Sequence, residues 1–431
     1  MERFTVASAG TDAPAIGRAL PAAVDAATGP GRRLLAPFEA PDDDDHDHID
    51  RRGLWFAVVA VAAAALAVLV VSTVAYTRFP LAMKLRPTPQ ALAPGMRWLQ
   101  SFSWWDGAWY VGISKQGYGF MAGRQSPVAF FPGFPLLIRF LTPLGGPVLA
   151  GFLVSLASGI AASLLFYAWA VERVGRKVAR VALAALLLYP CSFYLFGVLY
   201  ADSVFLLAAV AAFVFVERDR PVLAGLAGAV ATATRPIGMA LAVGLWLRAL
   251  ERRKGEATWP QAMRSLRPRD AGLLLAPAGF VGYAAYLGFR FGDPFLFSEA
   301  ERGWGQAPGP QTWLKVSWWH EMRRTPYLNP PHYHLVGALL ATVLALALVV
   351  VVFRRLGWGY GFYSLGVVLG SAISTKNFIG MGRYTVAAFP VFAAAGLLLK
   401  DRTAARWLVL AGSGALLLLL TELHARNMLI S

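Results

Sequence analysis

Apolar stretches recur from residue 54 to residue 421, separated by short polar connections rich in arginine. They extend approximately over 54–75, 147–171, 181–199, 203–216, 221–234, 236–250, 271–290, 335–353, 358–374, 384–399 and 404–421, a pattern that predicts about eleven helices. A perpendicular bilayer crossing takes about 20 apolar residues. Several runs fall short of that, notably 221–234 and 236–250, which flank Thr234-Arg235-Pro236 and are expected to form a short or broken hairpin whose tip stays below the outer surface. The period and length of the runs predict an all-α polytopic membrane protein.

Composition agrees with that class. Of 431 residues, 57% are hydrophobic and only 15% charged, more apolar and less charged than ordinary soluble domains. The 42 glycines and 27 prolines fall partly inside the apolar runs, which membrane helices tolerate because neighbouring groups re-satisfy the freed backbone. The net charge of +16 sits mostly in short loops, so it reads as a topology signal rather than as nucleic-acid binding. The single cysteine, Cys191, excludes an intramolecular disulfide.

Residues 1–52 have no sustained apolar period and include the acidic stretch Asp42 to Asp50, which predicts a disordered cytoplasmic tail. His46 and His48 among those aspartates are read as part of a solvated linker rather than as a metal site. The first apolar run is long enough to remain as an anchor instead of being cleaved. Residues 53–421 form the expected membrane domain, and 422–431 a short extracytoplasmic tail.

Basic residues set the orientation. Arg51 and Arg52, the stretch Glu172 to Arg180, Glu217 to Arg220, Arg248 to Arg269, Arg354 with Arg355, and Lys400 to Arg406 fall on one side, expected to be the cytoplasm of a cell-membrane protein. Segments 76–146, 291–334 and Ser374 to Arg383 then face outward. No internal repeat or inverted pair of halves is evident.

The outward segments carry the candidate chemistry. The first contains SWWDGAWYVGIS and FFPGFPLLIRFL, expected to form interfacial helices, and Asp106 is its only acidic residue. A carboxylate there can accept the proton of an attacking sugar hydroxyl, while Trp104, Trp105, Trp109 and Tyr110 offer faces for sugar rings. Equally, Asp106 can cap a helix and the aromatics can form a membrane belt. Asp202 in LYADS stands at the start of a helix, where it can cap or contact a ligand, and Asp293 precedes Pro294, which suggests a turn. Arg235 in ATRPIG and Arg383 in GMGRY lie near the outer ends of apolar runs, where a guanidinium needs a phosphate or carboxylate partner. A lipid phosphate suits both; Arg235 can instead pair with Asp202, and Arg383 with an outer-loop acid. His320, His332 and His334, with Trp304, Trp313, Trp318 and Trp319, could bind an acceptor, but they lack a metal-ligand spacing. No phosphate-binding glycine loop, HExxH or DxD pair in an outer loop is present, so neither a nucleotide-sugar site nor a bound metal is expected.

Taken in order, SWWDGAWYVGISKQGYG, AFFPGFPLLIR, FGVLYADSVFLL, ATRPIGMALA, FGDPFLFSEAERGW and GRYTVAAFPVF resemble the PIG-V type mannosyltransferases, relatives of the second mannosyltransferase of GPI-anchor assembly. The resemblance spans about residues 53–400. It implies a GT-C fold, a polyprenyl-phosphate-mannose donor, a glycolipid or glycan acceptor, inversion at the anomeric carbon, no cofactor and no metal. It implies Asp106 as the catalytic base and Arg383 and Arg235 as donor-phosphate contacts, while Asp202 stands where the family often has a glutamate. Trp104, Trp105, Trp109, Tyr110, Asp202 and Trp304 are then the expected sugar and acceptor contacts. Rival expectations are another donor sugar, a protein acceptor, or a lipid or polysaccharide transporter. The last would need polar groups at mid-depth, whereas the charges here concentrate in loops and at helix ends.

Overall fold

Proline and glycine decide where the apolar runs become separate helices. The computed structural model describes residues 51–83, 92, 96–254, 258–307, 309–325 and 330–429, so the expected tail, with His46 and His48, lies outside the described residues except for Arg51 and Arg52. Those two begin α1 (Arg51–Arg78). The first long loop carries α2 (Asp106–Gln116) and α3 (Gly133–Leu141), followed by α4 (Pro147–Val174), α5 (Arg176–Leu187), α6 (Asp202–Glu217), α7 (Pro221–Thr234) and α8 (Gly238–Lys254). Then come α9 (Trp259–Arg264), α10 (Ala278–Phe291), and, in the second long loop, α11 (Leu296–Ala300), α12 (Pro310–Trp313) and α13 (Val316–Arg324). The chain closes with α14 (Pro330–Arg355), α15 (Trp358–Ser374), α16 (Met381–Ala387), α17 (Pro390–Leu399) and α18 (Thr403–Ala425). Among the described residues there is no strand.

Four helices are long and apolar enough to cross a bilayer: α1, α4, Leu335–Arg355 of α14, and α18. Two bent pairs raise the number to as many as six. The protein is a multi-pass, all-helical membrane protein. Its peripheral helices confirm this, because α1 exposes Trp55, Val59 and Leu66, and α18 exposes Trp407 and Leu408, faces compatible with lipid rather than water. By contrast α6 is apolar all round and almost wholly buried, as a helix of that composition should be.

The breaks fall at prolines, which lack the N–H and crowd the preceding turn. The run expected at 271–290 divides around Pro277 into a 3₁₀ segment, Pro268–Leu275, and α10, with a 49° bend. The run at 384–399 divides before Pro390, where α16 and α17 meet at 89°. The run at 181–199 stays helical only to Leu187 and then forms a tight turn through Ser192–Leu195. That turn lies directly on α4. A Cβ on Gly159 would sit 1.8 Å from the Leu195 carbonyl oxygen, so only glycine admits the contact.

With 16 residues, α6 is about 24 Å long, and ionic clusters occupy its two ends. At its C-terminus Glu217 accepts hydrogen bonds from Arg248 Nε at 2.6 Å and Tyr360 Oη at 2.8 Å, with Arg173 at 3.8 Å. Residues from three of the basic segments expected on one side therefore meet there. At its N-terminus lies the site described next.

Candidate active site

Each element contributes one charged side chain through its end. Pro236 holds the preceding Arg235 in extended backbone (φ −157°, ψ 143°), ending α7 and turning the guanidinium toward the first turn of α6. There it forms an ion pair with Asp202; the two side chains are only 9% and 2% exposed. The 89° bend carries Arg383, on α16, to the same end of α6. Asp106 is the first residue of α2, entered through Trp105 at φ +54°, a conformation a bulky residue adopts only under constraint.

Arg383 and Asp106 meet. Arg383 Nη1 donates to Asp106 Oδ2 at 2.8 Å, joining residues 277 apart in sequence. The Asp106 carboxylate therefore serves Arg383 rather than capping α2, although its charge still complements the positive end of that helix. Its backbone N–H donates to Tyr200 Oη at 3.2 Å. The Arg383 guanidinium lies over the rings of Tyr200 (4.9 Å) and Tyr384 (5.0 Å), and the Tyr384 ring also faces Arg235 at 5.6 Å. Two arginines and two aspartates are thus coupled through one tyrosine.

The cluster is under-bonded. Arg383 Nε, Arg235 Nη1 and Trp105 Nε1 are buried donors with no partner, as is the acceptor Asp202 Oδ1. Buried polar groups in folded proteins are overwhelmingly paired, so the free donors of two arginines beside carboxylates describe a place for an oxygen-rich anion.

The expected aromatic platform divides. Trp104 is 7% exposed, and its indole N–H donates to Ala425 O at 3.0 Å, which seats the end of α18 against the first loop. Tyr110 is buried edge-on against Phe130, Phe134 and Tyr200. Neither presents a free face. Trp109, half-buried, stacks on Phe130 at 5.8 Å and 17°, and Trp304 from the second loop meets both rings edge-on at 5.6 and 5.7 Å. The shelf beside Asp106 is therefore Trp109, Phe130 and Trp304.

Several residues at the site were not singled out in the sequence. Tyr200 is two positions before Asp202, Tyr384 follows Arg383, and Phe130 lies in AFFPGFP; their neighbours were the signal. His424 carried none: buried on α18 against Phe193 and Tyr194, it leaves both ring nitrogens unpartnered. Glu301 stands with Trp304 in one 3₁₀ turn, and burial, together with the charge of Asp106 and against that of Arg383, pushes its carboxyl up to about 7. Asp293 accepts from the Phe295 N–H at 2.8 Å, a turn role. His320 is exposed, and the side chains of His332 and His334 lie outside the described residues. All six sequence segments quoted above contribute to this one cluster: Asp106, Phe130, Tyr200 with Asp202, Arg235, Trp304 and Arg383.

No protein-family model and no curated protein matches the chain. Among solved structures it is similar to ArnT from Cupriavidus metallidurans bound to undecaprenyl phosphate, with 16% identity and a TM-score of 0.48 over 81% of this chain and 62% of that one. It is also similar to the Archaeoglobus fulgidus oligosaccharyltransferase. The complex with Zn and sulfate gives 14% identity and a TM-score of 0.42 over 85% and 53% of the two chains; the apo form gives 10% and 0.46 over 86% and 56%. The chain spans 53–62% of the length of these structures.

Proposed function

We propose that this protein is an inverting GT-C glycosyltransferase of PIG-V type. It moves mannose from polyprenyl-phosphate-mannose to a glycolipid or glycan acceptor on the extracytoplasmic side of the cell membrane. The observation that carries the reading is the pairing of Asp106 with Arg383 at 2.8 Å, with buried, unpartnered donors on Arg383 and Arg235, in a cluster built from all six ordered segments.

The geometry supports a sequence of roles. Both arginines are ion-paired, but the Arg235–Asp202 pair is the more buried, at 9% and 2% exposed against 13% and 29% for Arg383 and Asp106, so the donor phosphate engages chiefly Arg383, with Arg235 Nη1 and Trp105 Nε1 as further donors. In binding phosphate, Arg383 loosens its hold on Asp106 and frees that carboxylate. Asp106 then takes the proton of the acceptor hydroxyl while the hydroxyl oxygen attacks the anomeric carbon. The bond from that carbon to the phosphate oxygen breaks, and polyprenyl phosphate leaves with the electron pair. Its growing negative charge meets the arginines, so electrostatic stabilisation replaces a general acid. Attack from the face opposite the phosphate inverts the anomeric centre.

The test is incorporation from radiolabelled polyprenyl-phosphate-mannose into membranes containing the protein, against membranes without it. Label in a lipid or glycan fraction supports the reading, label in protein moves the acceptor class, and no incorporation refutes mannose transfer.

A further inference from the structure

Among the described residues Glu301 is the one carboxylate near the cluster with no use in the mechanism above. It lies in the 3₁₀ turn Glu301–Trp304, which docks on the first loop through Gly303, where a Cβ would fall 2.5 Å from the Arg124 carbonyl. That docking places Trp304 on the Trp109–Phe130 stack. Neighbouring cations are engaged elsewhere: Arg302 pairs with Glu299 at 2.8 Å, Lys376 with Glu321 at 3.7 Å, and Arg383 with Asp106. Arg124 is exposed and meets this turn through its backbone. Among the described residues the half-buried Glu301 carboxylate makes no hydrogen bond or ion pair, yet it lies within the field of both Asp106 and Arg383.

We propose that Glu301 is an acceptor-binding residue: its carboxylate accepts a hydrogen bond from a hydroxyl of a carbohydrate acceptor whose ring lies on the Trp109–Phe130–Trp304 shelf. This rests on the transferase reading and assigns its acceptor side. A carboxylate beside aromatic faces suits a polyhydroxylated ring, because the rings cover its C–H face and the carboxylate orients its edge. The direction of the Glu301 shift adds that this carboxylate ionises only near neutral pH, at a cost to the folded state, as a group kept for a ligand does.

The sign follows from that cost. A carboxyl raised to about 7 loses stability for the fold as pH climbs from the ordinary carboxylate range toward 7, and it accepts hydrogen bonds fully only above 7. The experiment uses the full chain in membranes, with Glu301→Gln and Glu301→Asp. Radiolabelled polyprenyl-phosphate-mannose is followed into the endogenous acceptor from pH 6 to 8.5, and Tm is measured on the same variants.

Wild-type incorporation should rise through pH about 7. Glu301→Gln should lose about tenfold or more at pH 8, as expected for a lost hydrogen bond to a charged group. It should also lack the rise, yet melt higher than wild type at pH 8, a gain that shrinks toward pH 5. Glu301→Asp should restore part of the activity. A Glu301→Gln variant with the wild-type rate and pH profile overturns the proposal while leaving the transferase reading standing. So does one that is destabilised at pH 8, since that marks a structural role. A wild type that transfers nothing overturns both.

Discussion

Replacing Arg235 by leucine leaves Asp202, 2% exposed, as a carboxylate without its counter-ion in the protein interior. Removing one partner of a buried pair costs about 3–5 kcal/mol, because the remaining charge stays desolvated. Arg235 also gives up its place over the Tyr384 ring, about 0.5–2 kcal/mol more. Asp202→Leu should cost a similar amount from the other side. The double variant removes both charges and fills the site with apolar volume, which for buried pairs is near neutral. The single effects sum to about 6.5–12 kcal/mol, so a double variant that costs about 2 kcal/mol or less implies a coupling of about 4 kcal/mol or more. An unfolding entropy of about 2.1 cal/mol/K per residue converts each single loss into a Tm drop of about 3–8 °C for a chain of this size, and the double loss into about 2 °C or less. The 14 tryptophans allow the transition to be followed by intrinsic fluorescence in detergent. If the two single shifts simply add in the double variant, the pair is not coupled. Arg235 would then be free to hold a phosphate alone, and the division of labour between the two arginines would be wrong.

Arg383→Lys keeps the charge but not the planar group that donates to Asp106 at 2.8 Å while lying over Tyr200 and Tyr384. It should lower transfer about tenfold or more with a weakened dependence on donor, and donor kinetics identical to wild type would refute the assignment. Trp104→Phe removes the hydrogen bond to Ala425 and should cost about 0.5–1.5 kcal/mol of stability with transfer retained. Loss of transfer in a well-folded Trp104→Phe protein would return that ring to the binding surface.

The helices were legible in the sequence because apolar period and length survive any tertiary arrangement. The breaks at Pro277 and Pro390 were not, since the apolar runs continue unbroken across them, and only the packed chain shows a bend of 49° or 89°. In the first loop the sequence marked a stretch of aromatics around Asp106 but could not divide it. The two tryptophans lie on either side of the start of α2 and face different ways, so Trp104 goes to the core while Trp109 joins the shelf. Asp106, Arg235 and Arg383 could be named because charges are rare there. Their partners could not all be read: Asp202 is 33 residues from Arg235 and was foreseen as its alternative, whereas Asp106 lies 277 residues from Arg383 and nothing local joins them. Glu301 shares its loop with Asp293, Glu299 and Glu321, and only the docking of its turn distinguishes it.

In the proposed mechanism Asp106 is the base and Arg383 its donor-gated partner. Asp106→Asn in the full chain separates these roles, with donor binding and single-turnover transfer of labelled mannose measured on the same preparation. The transfer rate should fall 10²-fold or more, the scale of a lost general base, with donor binding retained or tightened because Arg383 is released from the carboxylate. Transfer at the wild-type rate, or donor binding lost together with transfer, would contradict this mechanism.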